Sequence, residues 1–291
     1  MTPITVEDNQ QWQEIITPKT RLLDLRLREV WRYRDLLLLF VKRDMAAQYK
    51  QTVLGPVWYI IQPILTTLLS LVLFTSIANI STGPVPPLLF YIASYSIWNY
   101  FSSCLNGTSS TFTSNASIFG KVYFPRLVLP LSVVLSNIAK FGIQFALLLA
   151  FLIFYWSTGK FPFSFGWHTL LIPLILVIMA GIGLGLGIII SSLTTKYRDF
   201  TVLVNFGVQL LMYVTPVVYP LAFLAVKRPK LLAYIKWNPL SPLLEEFRYA
   251  VFGTGTFSMG MLAYSLAFTI ISLFIGILIF NKVERSFMDT V

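Results

Sequence analysis

The sequence predicts an all-α integral membrane fold with six transmembrane helices, an N-terminal interfacial helix, and a re-entrant pair of outer helices before the last span. Three observations predict it. The chain is 56% hydrophobic and 12% charged; a soluble domain carries about 25% charged residues, and half of that cannot cover a globular surface of this size. Apolar stretches of roughly 20 residues recur, the length a helix needs to cross the hydrocarbon core. No stretch alternates as the strands of a membrane β-barrel do.

Each element follows from its own stretch of residues. Residues 1–56 form a cytoplasmic arm and interfacial helix. The arm begins MTPITVEDNQQWQEI, too polar and acidic for a cleavable secretion signal. Within it, Leu36–Val41 is apolar on all sides and too short to span. Bounded by Arg32, Arg34, Lys42 and Arg43, it suits a helix lying on the membrane while its basic side chains reach anionic headgroups. The Gly55-Pro56 break then turns the chain into a hydrophobic stretch opening with Trp58 and Tyr59. The spans are read at about 57–80, 86–107, 128–156, 169–193, 201–224 and 259–280, which makes 57–281 the transmembrane domain and 282–291 a cytoplasmic tail. No second domain and no internal repeat is detectable.

Charge sets the orientation. With this topology the inner segments hold fifteen Lys and Arg and the outer segments six, with Lys140 inside a span. The excess places both termini in the cytoplasm. Nine of the 22 basic residues lie between Lys19 and Lys50, beside the first span. The net charge of +10 is therefore a membrane-orientation signal and not a nucleic-acid groove. The last outer stretch, 225–258, is too apolar for a solvated loop and too rich in prolines and charges for a span. A re-entrant helix pair fits it, because irregular backbone at membrane depth is tolerated where protein or a water-filled cavity covers it.

Few residues offer chemistry. Cys104 and His168 are each alone, so neither an intrachain disulfide nor a four-ligand metal centre is expected. Lys140 is the one ionisable side chain deep in a span, and the spans hold no Asp or Glu. Ion-driven transporters use intramembrane carboxylates or histidines as relays, so that mechanism is disfavoured. Tyr91, Tyr95 and Trp98 fall on one helix face, with Ser102 nearby. They read either as a pore-facing ladder on which sugar rings stack or as aromatic packing between spans. The inner segment 117–130, SIFGKVYFPRLVLP, sets apolar residues around Lys121 and Arg126. Such side chains ask for a partner surface or for lipid headgroups. Glycines in GIGLGLG (181–187) lie in a hydrophobic stretch with no preceding strand, so they read as close-packing faces and not as a nucleotide loop. Glu245 and Glu246 are adjacent, hence about 100° apart on a helix and poorly placed to act on one bond.

Three separated motifs, in order, resemble the permease subunits of ABC exporters for O-antigen, capsular and teichoic-acid polysaccharides. RDLLLLFVKRDMAAQYKQTVLGPVWYIIQP is similar to that family's basic interfacial helix leading into its first span, through Tyr49, Lys50, Thr52, Leu54, Gly55, Trp58 and Pro63. KVYFPRLVLP (121–130) resembles its inner loop between the second and third spans, and WNPLSPLLEEFR (237–248) its outer Asn-Pro-x-x-Pro…Arg motif. The tail NKVERSFMDTV matches its short ending. The likeness begins near residue 25.

The resemblance implies a homodimer around a wide channel in the bacterial inner membrane, with two copies of a separate P-loop ATPase docked on the cytoplasmic side. The chain has no P-loop of its own. It is therefore expected to be no enzyme and to hold no cofactor, ATP and Mg being bound by the partner. Carried over by position, ATPase coupling would fall to Lys42, Arg43, Tyr49, Lys50, Phe119, Lys121, Tyr123, Phe124, Pro125 and Arg126. The outer mouth would be gated by Trp237, Asn238, Pro239, Pro242, Glu245 and Arg248. Tyr59, Tyr91, Tyr95, Trp98 and Ser102 are the candidate lining of a path for a polysaccharide or lipid-linked glycan. Weak, repeated contacts let such a chain slide. The expected partners are thus the ATPase, a second copy, the glycan and membrane lipids, with no nucleic acid. Two other readings stand beside this one: an exporter of a lipophilic drug or small glycolipid, and an integral-membrane glycosyltransferase, for which Glu245 and Glu246 are the acids on offer.

Overall fold

The computed structural model describes residues 27–50, 55–115, 118, 124–162, 166–197, 199–255 and 257–287. Among them are helices and turns and no strand. Four helical stretches are long and apolar enough to cross a membrane: Trp58–Ile77, Val128–Ser157, Trp167–Thr194 and Met259–Asn281.

Two helices open the described chain, α1 (Leu27–Arg32) and α2 (Arg34–Tyr49). Gly55, at φ +49°, makes the turn that the Gly-Pro pair predicts, a backbone angle that side-chain-bearing residues resist. A short 3₁₀ turn, Gly55–Val57, leads into α3 (Trp58–Ser70), whose last part loosens into a π-helical turn at Leu71–Ile77. Helix α4 (Pro87–Ser109) starts with Pro87, whose missing N–H has no partner to lose there. A single turn, α5 (Thr111–Ser114), follows it. Helix α6 (Val128–Ser157) has 30 residues, and α7 (Leu171–Lys196) has 26.

Helix α8 (Phe200–Val214) is shorter than expected. The predicted fifth span, 201–224, is not one helix. It stops at Val214, and a non-helical stretch containing Pro216 and Pro220 precedes α9 (Leu221–Lys227). A proline inside a helix removes a hydrogen bond and clashes with the preceding turn, so two prolines four residues apart end it. Three short helices, not a pair, then occupy the stretch before the last long helix: α9, α10 (Pro229–Lys236) and α11 (Leu240–Phe252). Helix α12 (Met259–Phe287) closes the chain.

Helix α4 is the hub: sixteen of its 23 residues are buried, and it packs against α3, α6, α7 and α11. Its partner at the centre is α7, and the glycines explain how two helices approach α7 closely. A Cβ on Gly183 or Gly187 would strike Cys104 or Thr108 of α4; one on Gly181 or Gly185 would strike Thr269 or Ser272 of α12. The GIGLGLG run thus presents two small-residue faces to two neighbours. Helix α11 lies across one end of this bundle, touching α4, α7 and α12. Helix α2 runs along α6. By contrast α3 buries only Pro63, Thr67 and Ser70, and α8 only Val208, which leaves two apolar helix faces uncovered.

Candidate functional site

Polar residues inside apolar helices cost free energy unless they line water or one another, so their positions mark the candidate path. Asn137, Lys140 and Gln144 recur at helical spacing along α6. They face Asn99, Ser102 and Ser103 of α4 and Tyr59 and Gln62 of α3 across a polar cavity of about 280 Å³, closed on one side by Tyr100 and Phe141. A second cavity of about 280 Å³ adjoins it and shares Ser103, Asn137 and Lys140. Its other walls are Asp44 and Ala47 of α2, with Gly107, Val133 and Ser136. Together the two form a polar track from the interfacial helix into the bundle, with Lys140 at their junction.

Of the predicted lining residues, the structure brings Tyr59 and Ser102 to this track. Tyr91, Tyr95 and Trp98 are not among the residues that line it. All three are buried within the chain's own packing, at 0%, 4% and 3% exposure. Tyr95 Oη shares a hydrogen bond with Ser70 Oγ at 2.6 Å, Tyr91 Oη meets Thr75 Oγ1 at 3.3 Å, and Trp98 tilts against Phe101. Two of the three thus meet the end of α3 and the turn that follows it, through Ser70 and Thr75. Sequence reasoning missed Gln62, Asn99, Asn137 and Gln144. The signal was present: two amides, Asn137 and Gln144, three residues before and four after Lys140 in a long apolar helix.

On the predicted coupling side, Phe119, Lys121 and Tyr123 and the side chain of Tyr49 lie outside the described residues. Lys42 and Lys50 are exposed on α2 and after it, and Pro125 is half-buried. Phe124 differs from the expectation of an apolar side chain offered to a partner. It is buried against Phe40 of α2, ring centroids 5.7 Å apart, in a cluster with Val30, Val128 and Leu129. Arg126 is buried beside it. Phe124 therefore welds the inner loop to the interfacial helix, because burying a phenyl ring stabilises by about 1.5–3 kcal/mol. Arg43 lies over the Phe40 ring at 4.7 Å and pairs with Asp44 at 2.7 Å.

The outer motif forms a clasp. Asn238 donates its Nδ2 to Thr215 Oγ1 at 2.8 Å and accepts from Leu240 N at 3.1 Å. The carbonyls of Trp237 and Pro239 accept from Tyr264 and Ser265 of α12. Pro242 is buried, whereas the Trp237 side chain is 76% exposed. Glu245 accepts from Leu221 N at 2.7 Å and forms an ion pair with Arg248 Nη2 at 2.7 Å. Arg248 also donates to Ser94 Oγ at 3.0 Å and to the Pro216 carbonyl at 2.8 Å, over the face of Phe90. One buried guanidinium thus ties α11 to α4 and to the break after α8. Glu245 and Arg248 line a cavity of about 550 Å³ that also takes in Phe223, Lys227 and Lys236. Glu246 is buried with neither carboxylate oxygen hydrogen-bonded, and burial pushes its carboxyl up to about 8. The two acids are therefore separated in role: Glu245 is a structural ion-pair partner and Glu246 a buried, neutralised group. Neither the His168 ring, held by the Ala250 carbonyl at 3.0 Å, nor any other group forms a metal-ligating cluster among the described residues.

The sequence model of the ABC-2 type transporter family matches residues 35–252. The chain is 29% identical to the O-antigen export system permease protein RfbA of Myxococcus xanthus over 76% of its own length and 82% of the relative's. It is 28% identical to the protein of the same name from Klebsiella pneumoniae, over 88% and 94% of the two chains. The polysialic acid transport protein KpsM of Escherichia coli is 23% identical over 85% and 93%.

Proposed function

The chain belongs to the ABC-2 type transporter family, and from that premise we propose that it is the membrane-spanning, channel-forming subunit of an ATP-driven exporter of a polysaccharide, O-antigen-like and lipid-linked. The observation that carries the reading is the polar track: amides, hydroxyls and one ammonium facing cavities within helices apolar enough for a bilayer. A glycan presents hydroxyls that exchange hydrogen bonds with such groups one at a time, so it is held weakly at many sites and can move. The similarity to two O-antigen export permeases and a polysialic acid transport protein, along nearly their whole lengths, supports the cargo class.

On this reading α4 and α8 complete six spans with the four long apolar stretches, and α9 to α11 cover the outer mouth. Both termini are cytoplasmic in the bacterial inner membrane. A second copy covers the bare apolar faces of α3 and α8, since a channel wide enough for a polymer exceeds one bundle. Two copies of a separate P-loop ATPase supply ATP hydrolysis with Mg. They dock on the welded unit of α2 and the inner loop, where Phe124 packs on α2 and Lys42 and Lys50 are exposed. Trp237, Asn238, Pro239, Pro242, Glu245 and Arg248 control the outer opening.

The test is reconstitution. Co-expression with the P-loop ATPase encoded nearest to it, in a strain lacking its own exporter, is expected to restore surface polysaccharide. Co-purification is expected to be lost in Phe124→Asp, which buries a charge in the weld, and retained in Phe124→Leu. No export with any such ATPase, from a chain shown to insert, would refute the proposal.

A further inference from the structure

Lys140 forms no ion pair among the described residues. Twelve residues into α6 from Val128, it lies about 18 Å along the helix at 1.5 Å per residue. A charge at that depth is costly, and its presence marks a functional site by default. Among the described residues no carboxylate comes within ion-pair range of it; Asp44, the acid that shares its lower cavity, is held by Arg43 at 2.7 Å. What surrounds the ammonium instead is neutral and polar: Ser102, Ser103, Asn99, Asn137 and Gln144. Asn137 is 3% exposed and leaves its Oδ1 with no hydrogen bond, so the site holds unspent polar capacity.

The chemistry of the wall selects the guest. A planar carboxylate is best met by the fork of an arginine, while a lysine acts as a compact point charge. Here one point charge stands among hydroxyl and amide donors spread around it, an arrangement that suits an oxyanion with several oxygens pointing different ways. Each cavity, at about 280 Å³, is far larger than that anion alone, so the group arrives attached to something bigger. The junction with the α2 cavity gives it a way in from the cytoplasmic interface, past an acid already neutralised by Arg43.

We propose that Lys140, with Ser102, Ser103 and Asn137, forms a binding site for the phosphoryl group of an amphiphile entering from the inner leaflet. This rests on the reading of the polar track as the export path. Two sources share the chemistry: a phospholipid headgroup and a phosphate carried by the glycan's lipid anchor.

The experiment uses the full chain with its ATPase in phosphatidylcholine nanodiscs and n-dodecyl phosphate as probe, with dodecanol and dodecanoate as controls, read by the thermal midpoint across a probe titration. Dodecyl phosphate is expected to protect the wild type, with dodecanol inert and dodecanoate weaker. Lys140→Arg is expected to bind within a few-fold of wild type. Lys140→Gln and the apolar Lys140→Met are expected to bind about tenfold more weakly or worse, the size of a lost charge-assisted hydrogen bond. Met at this depth removes the cost of a buried charge, so a folded variant is available even where Gln fails. Equal binding by wild type and Lys140→Met, or equal protection by dodecanol, overturns the proposal. Phosphatidylglycerol in the disc that competes the probe away assigns the site to leaflet lipid; undiminished binding assigns it to the cargo's anchor. A chain that binds the probe through Lys140 yet exports nothing fails the export reading alone, and export without Lys140-dependent binding fails this one alone.

Discussion

Replacing Arg248 by methionine tests whether the outer clasp holds the bundle together. The guanidinium is 4% exposed and makes three polar contacts under or at 3.0 Å: Glu245, the Pro216 carbonyl and Ser94 Oγ. It also stands over Phe90 at 4.5 Å. Methionine fills similar space but removes all three contacts. Removing one partner of a buried ion pair costs about 3–5 kcal/mol. Glu245 keeps the Leu221 N–H at 2.7 Å, which moves the expectation to the low end, about 3 kcal/mol. The assay is unfolding in mixed micelles by increasing dodecyl sulfate, followed by far-ultraviolet circular dichroism. Glu245→Gln and the double variant complete a cycle, for which a coupling of about 2 kcal/mol or more is expected. Arg248→Lys should fall between, because an ammonium keeps the charge but cannot reach Glu245, Ser94 and Pro216 with one planar fork. A loss below about 1 kcal/mol, with no coupling, is what a solvated surface pair gives, and it would refute the clasp.

Further outcomes follow from other buried groups. The Glu246 carboxyl holds its proton to about pH 8 when folded and to about 4.5 when unfolded. Stability is then full below about 4.5 and falls with rising pH through the window up to about 8, by up to about 1.4 kcal/mol per unit. Glu246→Gln should flatten that slope in unfolding titrations at several pH values; an unchanged slope would assign it to other groups. Gly185→Val should separate α7 from α12, since a Cβ there meets Ser272 Oγ at 2.7 Å and the Leu273 nitrogen at 2.9 Å. Gly142→Ala, where a Cβ meets nothing within 4 Å, should instead hold or raise the midpoint; equal loss in both would mean that close approach is not the cause. Trp98→Leu should lower stability yet leave most export per folded molecule, because the ring packs between helices. Loss of export at undiminished stability would return Trp98 to the channel.

The membrane class, the long apolar helices and the turn at Gly55 were legible in the sequence, because each is decided locally. Hydrophobic length, a left-handed glycine and a proline act within one or two turns of chain. The two glycine faces of α7 were legible for the same reason: spacing alone puts Gly181 and Gly185 on one side and Gly183 and Gly187 on another. The break after Val214 was also written in Pro216 and Pro220, though a hydropathy window averages across it.

What spacing cannot decide is which neighbour a face meets. Tyr91, Tyr95 and Trp98 share a stripe whether that stripe borders a channel or another helix, and only the tertiary structure set Tyr95 against Ser70 and Tyr91 against Thr75. Phe124 is apolar on an inner segment in either case, and only the approach of α2 put Phe40 against it. The polar track needed three helices to bring Gln62, Asn99 and Lys140 to one cavity. Arg248 reaches Ser94 across 154 residues of chain. Local free energies choose the helix; burial, which depends on every helix at once, chooses what each side chain touches.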